Sequence, residues 1–200
     1  MIIIVSAVCF FCDLCEYGSD DLFSLTQEKA AEKFVECIKT FPEDLSLVQS
    51  AGYGLGAIAK RAPKGHFSSL IPTLQIIQTI LSQPDCRTDE DKVESTDNII
   101  GALGKIVLFQ FDGQLVNLAV LKEFLNLLPL YSDPDEAQAI HKLLFEQILA
   151  SNPVLAQAEI VGDLKMCVGR IVRIANEKQE LELLDDEGKV KAQQVISLMQ

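Results

Sequence analysis

The sequence predicts an all-α protein, an α–α superhelix in which helical hairpins stack on one another. Two observations predict this fold class. Apolar residues recur at helical spacing in almost every segment between turn signals, and there is almost no strand pattern. The pattern Leu-Gly-x-Ile occurs at residues 55–58 and again 48 residues later at 103–106. A period in the forties is typical of helical-hairpin arrays, whose units bury their apolar faces only by stacking.

Turn signals divide the chain into segments of helix length. The clearest are Pro42, Pro63-Lys64-Gly65, Pro84-Asp85, Asp112-Gly113, Asp133-Pro134 and Asn152-Pro153. We therefore expect nine helices, near residues 4–17, 25–40, 45–61, 66–82, 89–109, 115–129, 134–150, 159–176 and 187–199. Helix-start signals agree with these limits, because Thr88 precedes three acidic residues and Asp133 precedes a proline at the first helical position.

The third and sixth expected helices carry the most informative patterns. In the third, the apolar and small residues fall where the second helix of a HEAT repeat has them, although Val48 replaces the usual arginine. They are Leu47, Ala51, Gly54, Leu55 and Ile58. In the sixth, a second apolar face formed by Val120, Phe124 and Leu127 accompanies the first, which predicts a helix buried between two neighbours.

The helices predict one continuous HEAT-repeat array over residues 1–200. Residues 1–17 are expected to be the orphan second helix of a truncated repeat. Four helical hairpins are expected to follow, at 25–61, 66–109, 115–150 and 159–199. In this arrangement binding takes place on an extended surface rather than in a closed pocket.

Composition and charge exclude several classes of function. The net charge is -12 and the sequence pI is about 4.6, which argues against a protein that binds nucleic-acid phosphates. Basic peptide segments are the natural electrostatic partners. No apolar run reaches the roughly 18 residues of a membrane-spanning helix, so no membrane insertion is expected. Six cysteines without a secretory leader indicate free thiols in a soluble intracellular protein.

Apparent cofactor and metal motifs are each incomplete. Cys9, Cys12 and Cys15 have the spacing of iron–sulfur ligands, but Ser19 and Asp20 occupy the places of the required fourth cysteine and proline. The run Gly-x-Gly-x-x-Ala at 52–57 lacks the preceding strand and the later acidic residue of a dinucleotide site. We expect no cofactor and no metal, and we expect these glycines to allow close approach of packed helices.

The two histidines do not indicate an enzyme. Neither His66 nor His141 lies in a zinc-protease or nucleophile-elbow motif, and each is expected in a loop or on a helix surface. Since no pattern brings together an acid, a base and a nucleophile, no catalytic residue is expected.

Four stretches of the chain carry a family resemblance. They are Phe-Phe-Cys-Asp-Leu-Cys-Glu-Tyr at 10–17, Gln-Ser-Ala-Gly-Tyr-Gly-Leu-Gly at 49–56, Glu-Ser-Thr-Asp-Asn at 94–98 leading to 103–106, and Phe-Leu-Asn-Leu-Leu-Pro-Leu at 124–130 followed by Asp133, Asp135 and Glu136. In order and spacing they resemble the C-terminal end of the importin-beta family of nuclear transport receptors, in its karyopherin beta-3 branch. One departure is Lys122, where the family tends to have proline.

The resemblance implies a C-terminal receptor segment that acts in nuclear import by binding proteins, and that shuttles between cytoplasm and nucleus. Its cargo would be basic proteins with nuclear localisation signals, of ribosomal or histone-like kind. The Ran GTPase and nucleoporins would bind through the full-length receptor. The resemblance covers only the C-terminal repeats and implies that the amino-terminal arch, which binds Ran in this family, is absent. The chain is therefore expected to be a fragment or a truncated gene product.

Two alternatives stay open at this point. One is a HEAT scaffold subunit unrelated to nuclear transport, of the phosphatase or coat-complex type.

The other is the role of the candidate partner-binding residues, which either contact a partner or simply face water. They are Asp97, Asp135 and Glu136, at or near the starts of second helices. In the family these starts tend to line the concave side, but acidic residues at helix starts also simply face water.

Overall fold

The computed structural model describes residues 2–199 and is all-α over that range. Its helices are α1 Ile2–Tyr17, α2 Asp20–Thr40, α3 Leu45–Arg61, α4 Leu70–Leu81, α5 Val93–Phe109, α6 Leu118–Leu127, α7 Pro134–Leu149, α8 Ala158–Glu177 and α9 Asp186–Met199. A short 3₁₀ helix, Gln179–Leu181, lies between α8 and α9. The expected all-α class and the order of the helices are confirmed.

Helix boundaries differ from the expected ones mainly at the starts. Helix α2 begins at Asp20 rather than near residue 25, because the Ser19 hydroxyl accepts a hydrogen bond from the Leu22 N–H at 3.3 Å. Helix α5 begins at Val93 rather than near 89, since the residues before it form turns in which Lys92 pairs with Asp85 at 2.7 Å. A side-chain cap therefore sets the start of α2, whereas α5 begins without one, after a series of turns.

The helices form two stacked layers. The odd-numbered helices make a continuous ladder in which α1 packs on α3, α3 on α5, α5 on α7 and α7 on α9. The even-numbered helices lie on the other side, where α2 contacts α3 and α4, α4 contacts α5, and α6 contacts both α5 and α8. One apolar core runs through the array between the two layers.

Helix α5 lies at the centre of the array. Every residue from 95 to 108 is buried, because α3, α4, α6 and α7 all pack against it. A helix in this position has no face left for water. Any polar side chain on it must therefore find its hydrogen-bond partners inside the protein.

The glycines of the two Leu-Gly-x-Ile patterns lie where helices approach closely. A Cβ atom at Gly56 would lie 3.0 Å from the Ala102 Cα of α5, and one at Gly104 would lie 2.6 Å from the Phe124 ring of α6. Neither position has room for a side chain, because the neighbouring helix is too close. This confirms the expectation of close helix packing for Gly56.

Helix α1 has a buried side against α3 and an exposed apolar side. Val8 is buried, whereas Ile3 is 84% exposed and Phe10 is 58% exposed. Phe10 and Phe11 contact each other edge to face, with ring centroids 5.9 Å apart.

Between residues 2 and 199, no helix combines the length and the apolar character needed to cross a membrane.

Candidate functional site

The three candidate partner-binding acids occupy different environments. Asp135 is exposed, as expected for a contact residue. Asp97 and Glu136 are only 2% and 5% exposed, so their expected place on a surface is wrong. The reason is that α5 is covered on all sides, and the first turn of α7 packs against it. These two are the only buried carboxylates in the described part of the chain.

The Asp97 carboxylate anchors the loop that precedes α7. Its Oδ2 atom accepts hydrogen bonds from the backbone N–H groups of Tyr131, Ser132 and Asp133, at 3.1, 2.7 and 3.2 Å. Burial raises the pKa of Asp97 above its ordinary value, although these hydrogen bonds act in the opposite direction. Asp97 therefore holds this loop to α5.

Asp133 connects three helices of the odd-numbered ladder. Its Oδ1 atom accepts the Glu136 N–H at 3.1 Å and so caps α7, as the Asp-Pro signal predicts. Its Oδ2 atom accepts from the side-chain amides of Asn98 on α5, at 2.7 Å, and of Gln49 on α3, at 3.3 Å. One side chain thereby links α3, α5 and α7.

Glu136 forms a buried ion pair with Lys105. The Lys105 Nζ atom lies 3.0 Å from Glu136 Oε1, and it also lies 4.9 Å from the centroid of the Tyr53 ring on α3. Gly101 leaves the room that the carboxylate needs, since a Cβ atom there would overlap Glu136. Burial raises the pKa of Glu136, while the Lys105 ammonium opposes that rise.

Together these contacts form a polar network inside the helix ladder, made of Gln49, Asp97, Asn98, Lys105, Asp133 and Glu136. This network positions helices, because Lys105 and Glu136 pair with each other and the Asp97 and Asp133 carboxylates are occupied by N–H donors of the chain. This network was not predicted from the sequence, although one signal could have revealed it. Lys105 stands in a segment that is apolar on every side, and a charge there needs a buried partner.

A second set of contacts repeats along the ladder at the ends of the helices. Arg61, at the end of α3, donates to the Cys15 and Glu16 carbonyls of α1, at 2.8 and 3.3 Å. Gln110, after α5, donates to the Ala59 carbonyl of α3 at 2.8 Å and to the Ala62 carbonyl just after that helix at 2.9 Å. In the same way Asn152, after α7, donates to the Leu108 carbonyl of α5 at 3.3 Å. The last carbonyls of α1, α3 and α5 thus each accept a hydrogen bond from a side chain at the end of the next helix in the ladder.

The two histidines differ in position. His66 is exposed in a loop, as expected. His141 is fully buried, so its expected place on a helix surface is wrong. Its Nε2 atom accepts the Leu130 N–H at 3.1 Å, and its Nδ1–H donates to the Leu183 carbonyl at 3.0 Å. Both bonds require the neutral ring, and burial lowers the pKa of His141 to about 4.

The burial of His141 predicts a pH-dependent stability. The ring titrates near 6.5 in an unfolded chain and near 4 in the folded one, so the unfolded state binds the extra proton between these values. The free energy of unfolding should therefore fall as pH drops from about 6.5 to 4, by a total on the order of 3 kcal/mol. Urea denaturation at several pH values measures this loss.

The control for this prediction is His141→Gln, which keeps a donor and an acceptor but does not titrate. The variant should be less stable at pH 7 and should lose less stability than the wild type below pH 6.5. Parallel pH profiles for the two proteins would contradict the role given to His141.

The cysteine run does not assemble a metal site. Cys9 is exposed, whereas Cys12 and Cys15 are buried against α3. Burial raises the pKa of Cys12 to about 12 and that of Cys15 to about 11, which disfavours the thiolate that metals bind. In residues 2–199, no group of three or more His, Cys, Asp or Glu side chains is arranged so that it could hold a metal ion.

Comparisons with known proteins give two informative relatives. The chain is 26% identical over 199 residues to importin subunit beta-3 of Saccharomyces cerevisiae, which covers 99% of the chain and 17% of that protein. It is 28% identical over 168 residues to a probable importin-5 homolog of Dictyostelium discoideum, covering 78% of the chain and 15% of that protein. The chain thus spans about one sixth of the length of these relatives.

No model of a protein family matches the chain, and no solved structure matches it. A relationship to these proteins therefore rests on the sequence similarity alone. In the comparison with the yeast protein, this similarity extends over 99% of the present chain. The stacked helical ladder is consistent with the same relationship. These similarities support a relationship of this chain to the importin-beta family.

Proposed function

We propose that this chain is the C-terminal segment of an importin-type receptor and that it binds basic protein cargo for nuclear import. The proposed action is protein binding on a HEAT-type array rather than catalysis, in a receptor that shuttles between cytoplasm and nucleus. The relationship to two importins supports the receptor class. The kind of cargo rests on charge, as follows.

The distribution of carboxylates carries the proposal. The chain has 29 acidic residues against 17 lysines and arginines. Apart from Asp97 and Glu136, every Asp and Glu in the range 2–199 is at least partly exposed. A surface of this kind attracts lysine- and arginine-rich segments and repels nucleic-acid phosphates.

The candidate contact residues divide into two roles in this proposal. Asp135 is exposed at the first turn of α7 and is available to a basic partner. Asp97 and Glu136 instead position the loop and the helix that present Asp135, because their own carboxylates are occupied inside the chain.

The proposal is tested by measuring binding of a lysine-rich histone-tail peptide to the purified chain by fluorescence anisotropy at several salt concentrations. We expect the affinity to fall at least about tenfold between roughly 50 and 300 mM NaCl, because salt screens exposed charges. Absence of binding, or an affinity that does not change with salt concentration, would contradict the proposal. A peptide with glutamate in place of each lysine is the matched control and should not bind.

A second measurement separates a transport receptor from a general HEAT scaffold. Ran and nucleoporins are proposed to bind through the remainder of the receptor. A longer gene product that contains this sequence should therefore release basic cargo when GTP-loaded Ran is added, and should retain it with GDP-loaded Ran. Equal retention with both nucleotides would favour the scaffold.

A further inference from the structure

A groove of about 780 Å³ lies between α8, α9 and the linker that joins them. We call it the α8–α9 groove. The α8 side is formed by Val172, Ala175 and Asn176, and the α9 side by Lys189, Ala192, Gln193 and Ile196. The end is formed by Gln179, Glu182, Leu183, Leu184, Asp185 and Asp186. The groove is separate from the buried polar network, although Gln138 of α7 reaches its edge.

The base of the α8–α9 groove is apolar. Leu183, Leu184 and Ala192 are buried beneath it, and Val172 and Ile196 are partly exposed along its length. Apolar surface of this kind suits the aliphatic stems of lysine and arginine as well as small apolar side chains. A ligand can therefore bury hydrocarbon here without burying a charge.

Three exposed amide side chains line the groove at its edges, namely Asn176, Gln179 and Gln193. None of them has a side-chain hydrogen-bond partner within residues 2–199, whereas Gln138 already donates to the Glu182 carbonyl at 2.7 Å. A primary amide offers a donor and an acceptor together. That combination matches the N–H and C=O groups of an extended peptide backbone.

The charge of the lining favours a positive ligand. Glu182, Asp185 and Asp186 contribute carboxylates, and Lys189 is the one cation among the lining residues. Lys189 is itself paired with Asp186 at 3.3 Å, and Asp185 contacts Lys142 at 3.2 Å. The Glu182 carboxylate has no ion-pair partner in the part of the chain that the structure describes.

The linker that forms the end of the groove is already held in place. Gln138 binds the Glu182 carbonyl, and His141 binds the Leu183 carbonyl at 3.0 Å. Asp185 accepts the Gly188 N–H at 2.6 Å and so fixes the start of α9. A preformed groove lowers the entropic cost of binding, because few protein groups have to be ordered.

From these observations we propose that the α8–α9 groove binds an extended peptide segment that carries lysine or arginine. The amides contact its backbone, the apolar base holds its side-chain stems, and the Glu182 carboxylate pairs with a cationic group. This inference rests on the proposed function, since it gives the place on the chain where a basic partner is held. Nucleic acid has the wrong sign of charge for this lining.

The test uses the intact 200-residue chain and a fluorescein-labelled nine-residue peptide of alternating lysine and threonine. The double variant Asn176→Ala/Gln193→Ala should weaken binding about tenfold, because it removes two amides without changing the charge. Glu182→Gln should weaken it about threefold. The matched controls are Gln194→Ala and Glu159→Gln, at exposed positions outside the groove, and both should stay within about twofold of the wild type.

Methyl NMR provides an independent readout. Added peptide should shift the methyl signals of Leu183, Leu184 and Ile196, and signals from α1 to α3 should stay in place. Circular dichroism confirms that each variant is folded, which is expected because all the changed side chains are exposed.

The outcomes separate this inference from the proposed function. If groove and control variants weaken peptide binding equally, or if the shifted methyl groups lie elsewhere, the groove is not the peptide-binding site. The proposal that the chain binds basic cargo would then still stand. If a basic protein binds but the peptide does not, the groove alone is again overturned. If the wild-type chain binds neither, the proposed function fails as well.

Discussion

Breaking the buried ion pair is expected to have the largest effect on stability. Lys105→Met leaves the Glu136 carboxylate buried without its partner, and Glu136→Leu does the same to the Lys105 ammonium. Each single change should lower the free energy of unfolding by about 3–5 kcal/mol, because an unpaired buried charge has lost both water and its counter-ion. Urea denaturation at pH 7 measures the change.

The double variant Lys105→Met/Glu136→Leu is the informative control. It removes both charges and should recover most of the loss, since apolar groups of similar size often replace a buried pair without penalty. A second control is Lys29→Met, which breaks an exposed pair with Glu32 and should change stability by less than about 1 kcal/mol. Losses in the double variant that equal the sum of the single losses would contradict this account.

Removing the Asp97 carboxylate is expected to have the second largest effect. In Asp97→Ala the N–H groups of residues 131–133 lose their common acceptor. We expect the free energy of unfolding to fall by about 2–4 kcal/mol, a range that allows water to replace some of the lost bonds. Hydrogen exchange should also become faster at residues 131–133 and at the first turn of α7, which this loop leads into.

Asp97→Asn is the matched variant, because it keeps the size of the side chain and one oxygen acceptor. It should cost about 1 kcal/mol and leave most of the exchange protection in place. If Asp97→Ala exchanged at residues 131–133 as slowly as the wild type, the loop would have another anchor and the role of Asp97 would be wrong.

The agreement between sequence and structure is closest where the signal is local. The Asp-Pro pair at 133–134 predicts both a cap and a first helical residue, and the structure has α7 starting there with the Asp133 side chain on the Glu136 N–H. The apolar periodicity likewise predicts the order of the helices. Helix periodicity and capping depend on residues within about one turn, so one sequence contains the information.

Whether an individual polar residue is buried does not depend on its sequence neighbours in this way. Asp97 and His141 lie on helices whose periodicity is clear, yet both were expected at the surface. Whether a polar position on a helix meets water depends on which other helices pack there. Asp97 is covered by a loop 34 to 36 residues further along the chain, and His141 by a backbone segment 42 residues away.

The amino-acid sequence alone is enough to predict the all-α class, the order of the helices, the acidic surface and the resemblance to a receptor family. All of these follow from composition, short-range pattern and motif order. The tertiary structure alone decided that Glu136 pairs with Lys105, that Gly101 leaves room for that carboxylate, and that α8 and α9 leave a groove between them. The reason is physical, because stacking helices decides which side chains lose water, and burial in turn decides which charges must be paired.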